Sequence, residues 1–226
     1  MRSDDPTRRM MAALANQKTT VKAAKYGVSE DSTPQTAGTY IDRGIMFARR
    51  GEYNSAIADL NEAIRLNPNS AEAYHVRGVI YAKTGNFDQA IADYNQAIKL
   101  NPNFVMAYNN RGVAYSEKGD YTSAIASYNQ AIQLDPNDAL AYNNRGATYG
   151  KMGYLEKAIA DLNEAIRLRP NFAAAYAHRA MGYLLLLDIN NKSQIIADTE
   201  MALRLDPNDP VAKDLLEIIQ ELRWLP

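Results

Sequence analysis

The 226 residues include no cysteine, one tryptophan and two histidines. Without a thiol the chain has no disulfide framework, no thiolate metal ligand and no cysteine nucleophile. His75 and His178 stand far apart with no cysteine to help either one, so they read as polar groups on helix surfaces, and neither a metal nor a cofactor is expected. An excess of one charge is missing too. The 25 basic residues against 26 acidic ones leave a net charge of −1, without the basic stripe that displaces counterions from nucleic acid. Long apolar runs are lacking: the one near the start, residues 10–15, is far shorter than a bilayer span or a secretory core. No membrane insertion is expected, and the location is read as cytoplasmic. There is no glycine-rich phosphate loop with its Lys-Ser/Thr and no Gly-x-Ser-x-Gly elbow. The expected function is therefore not enzymatic.

What is present is a period. Pro68, Pro102, Pro136 and Pro170 recur at one constant step, and each is followed by asparagine. Gly44, Gly78, Gly112 and Gly146 keep the same step, as do Gly51, Gly85, Gly119 and Gly153. Aromatic residues repeat at Tyr40, Tyr74, Tyr108, Tyr142 and Tyr176, and alanines at Ala56, Ala90, Ala124 and Ala158. A fixed period of this length decides the architecture before any single motif does.

Within one period, Tyr108, Gly112 and Tyr115 are spaced by four and three, which is one stripe of a helix. After Gly119 a second stripe runs through Tyr121, Ala124, Ile125, Tyr128, Ala131 and Ile132. Each period is thus two helices. The intervening glycine stops the first helix in the left-handed conformation, and the proline stops the second.

This pattern of aromatic, Gly, aromatic, Ala, large apolar, Ala and Pro within one period resembles the tetratricopeptide repeat. The resemblance implies an all-α, right-handed superhelical solenoid. It covers five helix-turn-helix units, at 37–70, 71–104, 105–138, 139–172 and 173–207. The fifth departs from the pattern: Ala180 replaces the glycine, Thr199 the large apolar residue, and Pro207 comes three positions later than the step from Pro170 requires, which places a three-residue insertion near 188–192. Residues 208–226 read as a capping helix with Pro210 in its first turn. Residues 1–36, with six basic and four acidic side chains, read as an N-terminal extension, partly helical or disordered and outside the regular stack.

In this family the first helix of each hairpin lines a concave surface that binds peptides or protein segments. The resemblance implies a groove formed by Ile41, Ile45, His75, Val79, Asn109, Asn110, Val113, Asn143, Asn144, Ala147, His178 and Met181. The doublets Asn109-Asn110 and Asn143-Asn144 are similar to the short asparagine ladder of the O-GlcNAc transferase repeats, where amides can serve the backbone of an extended ligand. The alternative is that these amides cap neighbouring helices or only hydrate the groove. The Lys, Asn and Arg set of the chaperone-tail clamp found in related co-chaperones is missing. The implied function is a non-catalytic scaffold or adaptor. The alternatives are a regulatory domain of a larger enzyme and a self-assembling structural protein.

Two further series stand out. Arg43, Arg77, Arg111, Arg145 and Arg179 recur beside Asp59, Asp93, Asp161 and Asp198, with Ser127 as the exception. Interhelical ion pairs explain them more simply than an anion site does. At the C-terminal end, Leu184, Leu185, Leu186 and Leu187 cannot all share one helix face. With Trp224 and Leu225 they form a candidate self-association patch for a homodimer, unless the capping helix folds over them.

Overall fold

A computed structural model describes residues 36–186, 189–222 and Trp224. The expectations for residues 1–35, and those resting on Leu187, Asp188 and Leu225, lie outside the described residues. Among the described residues there are eleven α-helices, one short 3-10 turn and no strand. They fall into two compact units that divide between Gly119 and Asp120.

The first unit holds α1 (Ala37–Arg50), α2 (Tyr53–Leu66), α3 (Ala71–Lys83), α4 (Phe87–Leu100) and α5 (Val105–Glu117). Helices α1 and α2 form one hairpin and α3 and α4 a second, on which α5 stacks. Local chemistry fixes the boundaries. Thr36 and Thr39 close a capping box at the start of α1, and the Ser70 hydroxyl accepts from the Ala73 N–H at the start of α3. These bonds satisfy amides that a helix start would otherwise leave unpaired. Gly51, Gly85 and Gly119 have φ of 82°, 79° and 81°, the left-handed turn that the repeated glycine was expected to make.

The second unit holds α6 (Tyr121–Leu134), α7 (Ala139–Lys151), α8 (Leu155–Leu168), α9 (Ala173–Leu185), a 3-10 turn at Ile189–Asn191, α10 (Lys192–Leu205) and α11 (Pro210–Glu221). Helices α7 and α8 pair, α9 and α10 pair, and α11 packs on both α9 and α10. Part of the extra length in the fifth hairpin is taken up by the 3-10 turn. Between hairpins, the residue before the proline accepts from the backbone N–H just after it. The Oδ1 atoms of Asn67, Asn101, Asp135 and Asp206 do so at 2.9–3.1 Å.

Each hairpin core is built from three fully buried positions on its second helix, such as Ala56, Leu60 and Ala63 or Ala158, Leu162 and Ala165. The opposing glycine is a steric requirement. A Cβ on Gly78 would sit 2.8 Å from the Tyr94 ring, and one on Gly146 2.9 Å from Leu162 Cγ. Burying each leucine at these contacts contributes roughly 1.5–3 kcal/mol, which is why the small–large complementarity repeats with the period.

Candidate functional site

The first helices carry the sequence-derived site, and the structure divides its residues into two groups. At the fifth and sixth positions of several hairpins the side chains are buried or bonded to a neighbouring hairpin of the same unit. His75 is buried, and its Nε2 accepts from the Asn110 Nδ2–H at 2.9 Å. Because an amide nitrogen only donates, His75 is neutral with its proton on Nδ1. The Phe104 ring lies 4.7 Å from it and the Tyr94 ring 5.9 Å. Burial pushes its pKa down to about 4. The expectation that His75 is a polar group on a helix surface is thereby corrected: its position faces the next hairpin.

In the second unit the pairing is reversed. His178 Nδ1–H donates to Asn143 Oδ1 at 3.1 Å, and Asn143 Nδ2–H donates to Asn144 Oδ1 at 3.2 Å. Asn109, Asn110 and Asn143 are buried, so these amides are not a row standing open to an incoming chain. That part of the asparagine-ladder expectation is corrected in favour of amides bonded within the protein. Ile41 is buried in the first hairpin cluster with Leu60 and Val76. Val79 is buried against Ala82, Tyr94 and Ala114.

The second group keeps partial exposure. Ile45, Val113, Ala147 and Met181 are half-buried and recur at the ninth position of their hairpins. Gly150, one turn after Ala147, has open space where a Cβ would be. In both units the partly exposed side chains at this ninth position are therefore apolar.

The arginine series does what the matched acids implied, and more. Arg77 grips Asp93 through Nε and Nη2 at 2.8 and 2.7 Å, while its Nη1 donates to Asn61 of the preceding second helix at 2.5 Å. Arg145 repeats this with Asp161 and Asn129, and Arg179 with Asp198 and Asn163. Arg43 holds Asp59 by the same fork. Arg111 donates to Asn95 at 2.8 Å. Each guanidinium carbon also lies 5.3–5.6 Å from the centroid of its hairpin's first tyrosine ring. The bond to Asp93 holds the Arg77 pKa above its usual value against the effect of burial. The asparagine link was not anticipated, although Asn61, Asn95, Asn129 and Asn163 repeat with the period and each precedes its arginine by the same interval.

At the C-terminal end, Leu184 packs partly against the cluster of Ala180, Ile195, Leu215 and Ile219, and Trp224 packs on the same cluster. The candidate self-association patch is corrected at Trp224, which is half-buried with Lys192 Nζ 5.8 Å from its ring centroid. Leu185 stays 51% exposed and Leu222 49%. Among the described residues no three His, Asp or Glu side chains are grouped to hold a metal ion. No described helix is long and apolar enough to cross a membrane.

The repeated hairpins agree with family models for the TPR repeat over residues 44–85, 78–119 and 115–153, and for the tetratricopeptide repeat over 139–172. The chain belongs to the tetratricopeptide repeat family. No curated protein sequence matches it. Among solved structures, the MamA protein is 25% identical with a TM-score of 0.64, over 76% of this chain and 93% of that one. The Pseudomonas aeruginosa protein pilF is 19% identical with a TM-score of 0.71, over 83% and 86%. YrrB, described as a TPR protein with an unusual peptide-binding site, is 18% identical with a TM-score of 0.60, over 79% and 90%. Membership explains the shared Gly, Ala and Pro positions.

Proposed function

We propose that the protein is a non-catalytic interaction scaffold that holds a peptide or protein segment on the first-helix face of its hairpins. The observation that carries this reading is a set of half-buried apolar side chains at the ninth hairpin position, Ile45 and Val113 in the first unit and Ala147 and Met181 in the second, with Val79 of the second hairpin buried instead. Within either unit, a segment laid over these first helices buries apolar surface, which suits an extended or helical ligand. The arginine–aspartate forks and the histidine–asparagine pairs hold helices together, which favours a scaffold over a reaction centre.

A photo-crosslinking residue placed at Val113 or Ala147, and in a control at Lys99 on a second helix, tests this directly in the native lysate. Capture of the same discrete partner from both first-helix positions and not from Lys99 is the expected result. Equal capture from all three positions, or from Lys99 alone, would move the binding surface elsewhere.

A further inference from the structure

Helix α11 stands in the second unit as one more first helix. Ile218 follows Met181, and Leu222 follows Leu185, by the same interval that separates Pro207 from Pro170. Its start repeats the chemistry of the hairpins, with Asp206 Oδ1 accepting from the Asn208 N–H and Asp209 Oδ1 from the Ala212 N–H. Buried Ala212, Leu215 and Ile219 hold it against the fifth hairpin. By its 3.6-residue geometry, Ile218 and Leu222 lie along one flank of that stripe, and Leu216 and Gln220 along the other. Second helices pack on the side of Leu216, because its equivalent in α9, Arg179, grips Asp198 of α10. The flank of Ile218 and Leu222 therefore continues the positions of Met181 and Leu185.

On this flank Leu185 and Leu222 are exposed, and Met181 and Ile218 are half-buried. Each helix so offers an apolar pair four residues apart, the spacing at which a further helix presents its own apolar side chains. The charge beside them is of one sign. Helices α7 and α9 contain no acid, whereas α11 carries Asp214, Glu217 and Glu221, all exposed, against Lys213 alone. Asp214 and Glu221 follow Ile218 and Leu222 around the helix. Among the described residues no base pairs with either acid. Lys213 lies on the opposite flank and donates to Asn208 at 3.1 Å, and Lys192 lies over Trp224.

An apolar surface with an acidic border is complementary to a ligand that combines apolar side chains with lysine or arginine. A second copy of this face would bring the same acids, and like charges oppose the two-fold pairing of identical surfaces. We infer that the Met181, Leu185, Ile218 and Leu222 surface receives an amphipathic basic helix of a partner protein, with its lysines or arginines against Asp214 and Glu221. The inference rests on the scaffold reading above and names the chemistry of the partner at the α11 end.

The probe is a synthetic helical peptide of leucine and lysine, with leucines on one face and a dansyl group at its N-terminus. Two control peptides carry glutamate for every lysine, or serine for every leucine. The full chain has a single tryptophan, Trp224, which packs on the same cluster as Met181, so energy transfer to dansyl reports binding at this end. The expected result is saturable transfer from the basic, apolar peptide and none from either control. Leu185→Ser combined with Leu222→Ser is expected to weaken binding about tenfold or more. Asp214→Asn combined with Glu221→Gln should weaken it at low salt and much less at high salt. Glu156→Gln, at an exposed acid in the first turn of α8, should change nothing. Circular dichroism melts check that each variant keeps its fold. Absence of transfer, equal transfer from the glutamate peptide, or binding that both double variants leave intact overturns the inference. A dimer in sedimentation that the leucine variant abolishes, without peptide binding, overturns it in favour of a second copy. Crosslinking from Val113 and Ala147 reads the native partner independently, so failure here leaves the scaffold reading standing.

Discussion

His75 Nε2 and Asn110 Nδ2 meet at 2.9 Å between consecutive first helices, a buried polar pair in which the histidine is neutral. Its folded-state pKa, about 4, lies below the ordinary 6.5. The unfolded chain therefore takes up a proton that the folded chain refuses. The stability this site contributes is fully present above pH 6.5 and falls as pH drops toward 4, by about 3 kcal/mol in total. His75→Gln, whose carbonyl can still accept from Asn110, is expected to flatten that part of the urea-midpoint profile between pH 6.5 and 4. A slope identical to the wild type would show that another group carries it.

The same pair makes Asn110 structural. Asn110→Ala leaves a buried ring nitrogen without its donor, and a loss of about 1–3 kcal/mol is expected in chemical unfolding at neutral pH. An unchanged midpoint would mean that the bond contributes nothing.

The arginine fork invites a double-mutant cycle. Asp161→Leu leaves Arg145 poorly solvated with only Asn129 to receive it, and a cost of about 3–5 kcal/mol is expected. Arg145→Met combined with Asp161→Leu removes both charges and should cost less than either single change. Additive losses in the cycle would argue against a coupled pair.

Two glycines of α7 should respond in opposite directions. Gly146→Ala forces a Cβ to 2.9 Å from Leu162 Cγ and 3.1 Å from the Ala158 carbonyl oxygen, a strain of about 1–3 kcal/mol. Gly150→Ala enters open space within a helix and is expected to raise stability by about 0.5–1 kcal/mol. Thermal midpoints that move the same way in both variants would contradict the packing described.

Tyr94 fills the space opposite Gly78, with its hydroxyl buried and no hydrogen-bond partner among the described residues. Tyr94→Phe keeps the ring and removes an unsatisfied group. Its thermal midpoint is expected to equal or exceed the wild type's, and a clear drop would reveal a bonded hydroxyl.

Helix boundaries, hairpins and the arginine–aspartate pairs were legible in the sequence because each depends on residue types that few alternatives can replace. A Cβ at Gly78 or Gly146 collides, and only a left-handed turn follows Tyr81 and Tyr149 in the loops at Gly85 and Gly153. The asparagines were harder to read. The position of Asn110 is filled elsewhere by Asp42, Val76, Asn144 and His178, so no shared apolar character marks it as a contact between hairpins. Periodicity identifies residues on a common face, but it does not say whether that face meets water or the next repeat. For His75 and Asn110 the partner itself lies at another variable position, and their bond becomes visible only when both helices are placed.

The asparagine link gives the array a direction. Arg77, Arg111, Arg145 and Arg179 each donate to the helix that precedes their own in the chain. During synthesis from the N-terminus, every new first helix finds its acceptor already in place. Trimming hairpins from the C-terminus leaves the earlier arginine links whole, whereas trimming from the N-terminus strips the next arginine of its asparagine. Growth and shortening of this repeat array are therefore not mirror images.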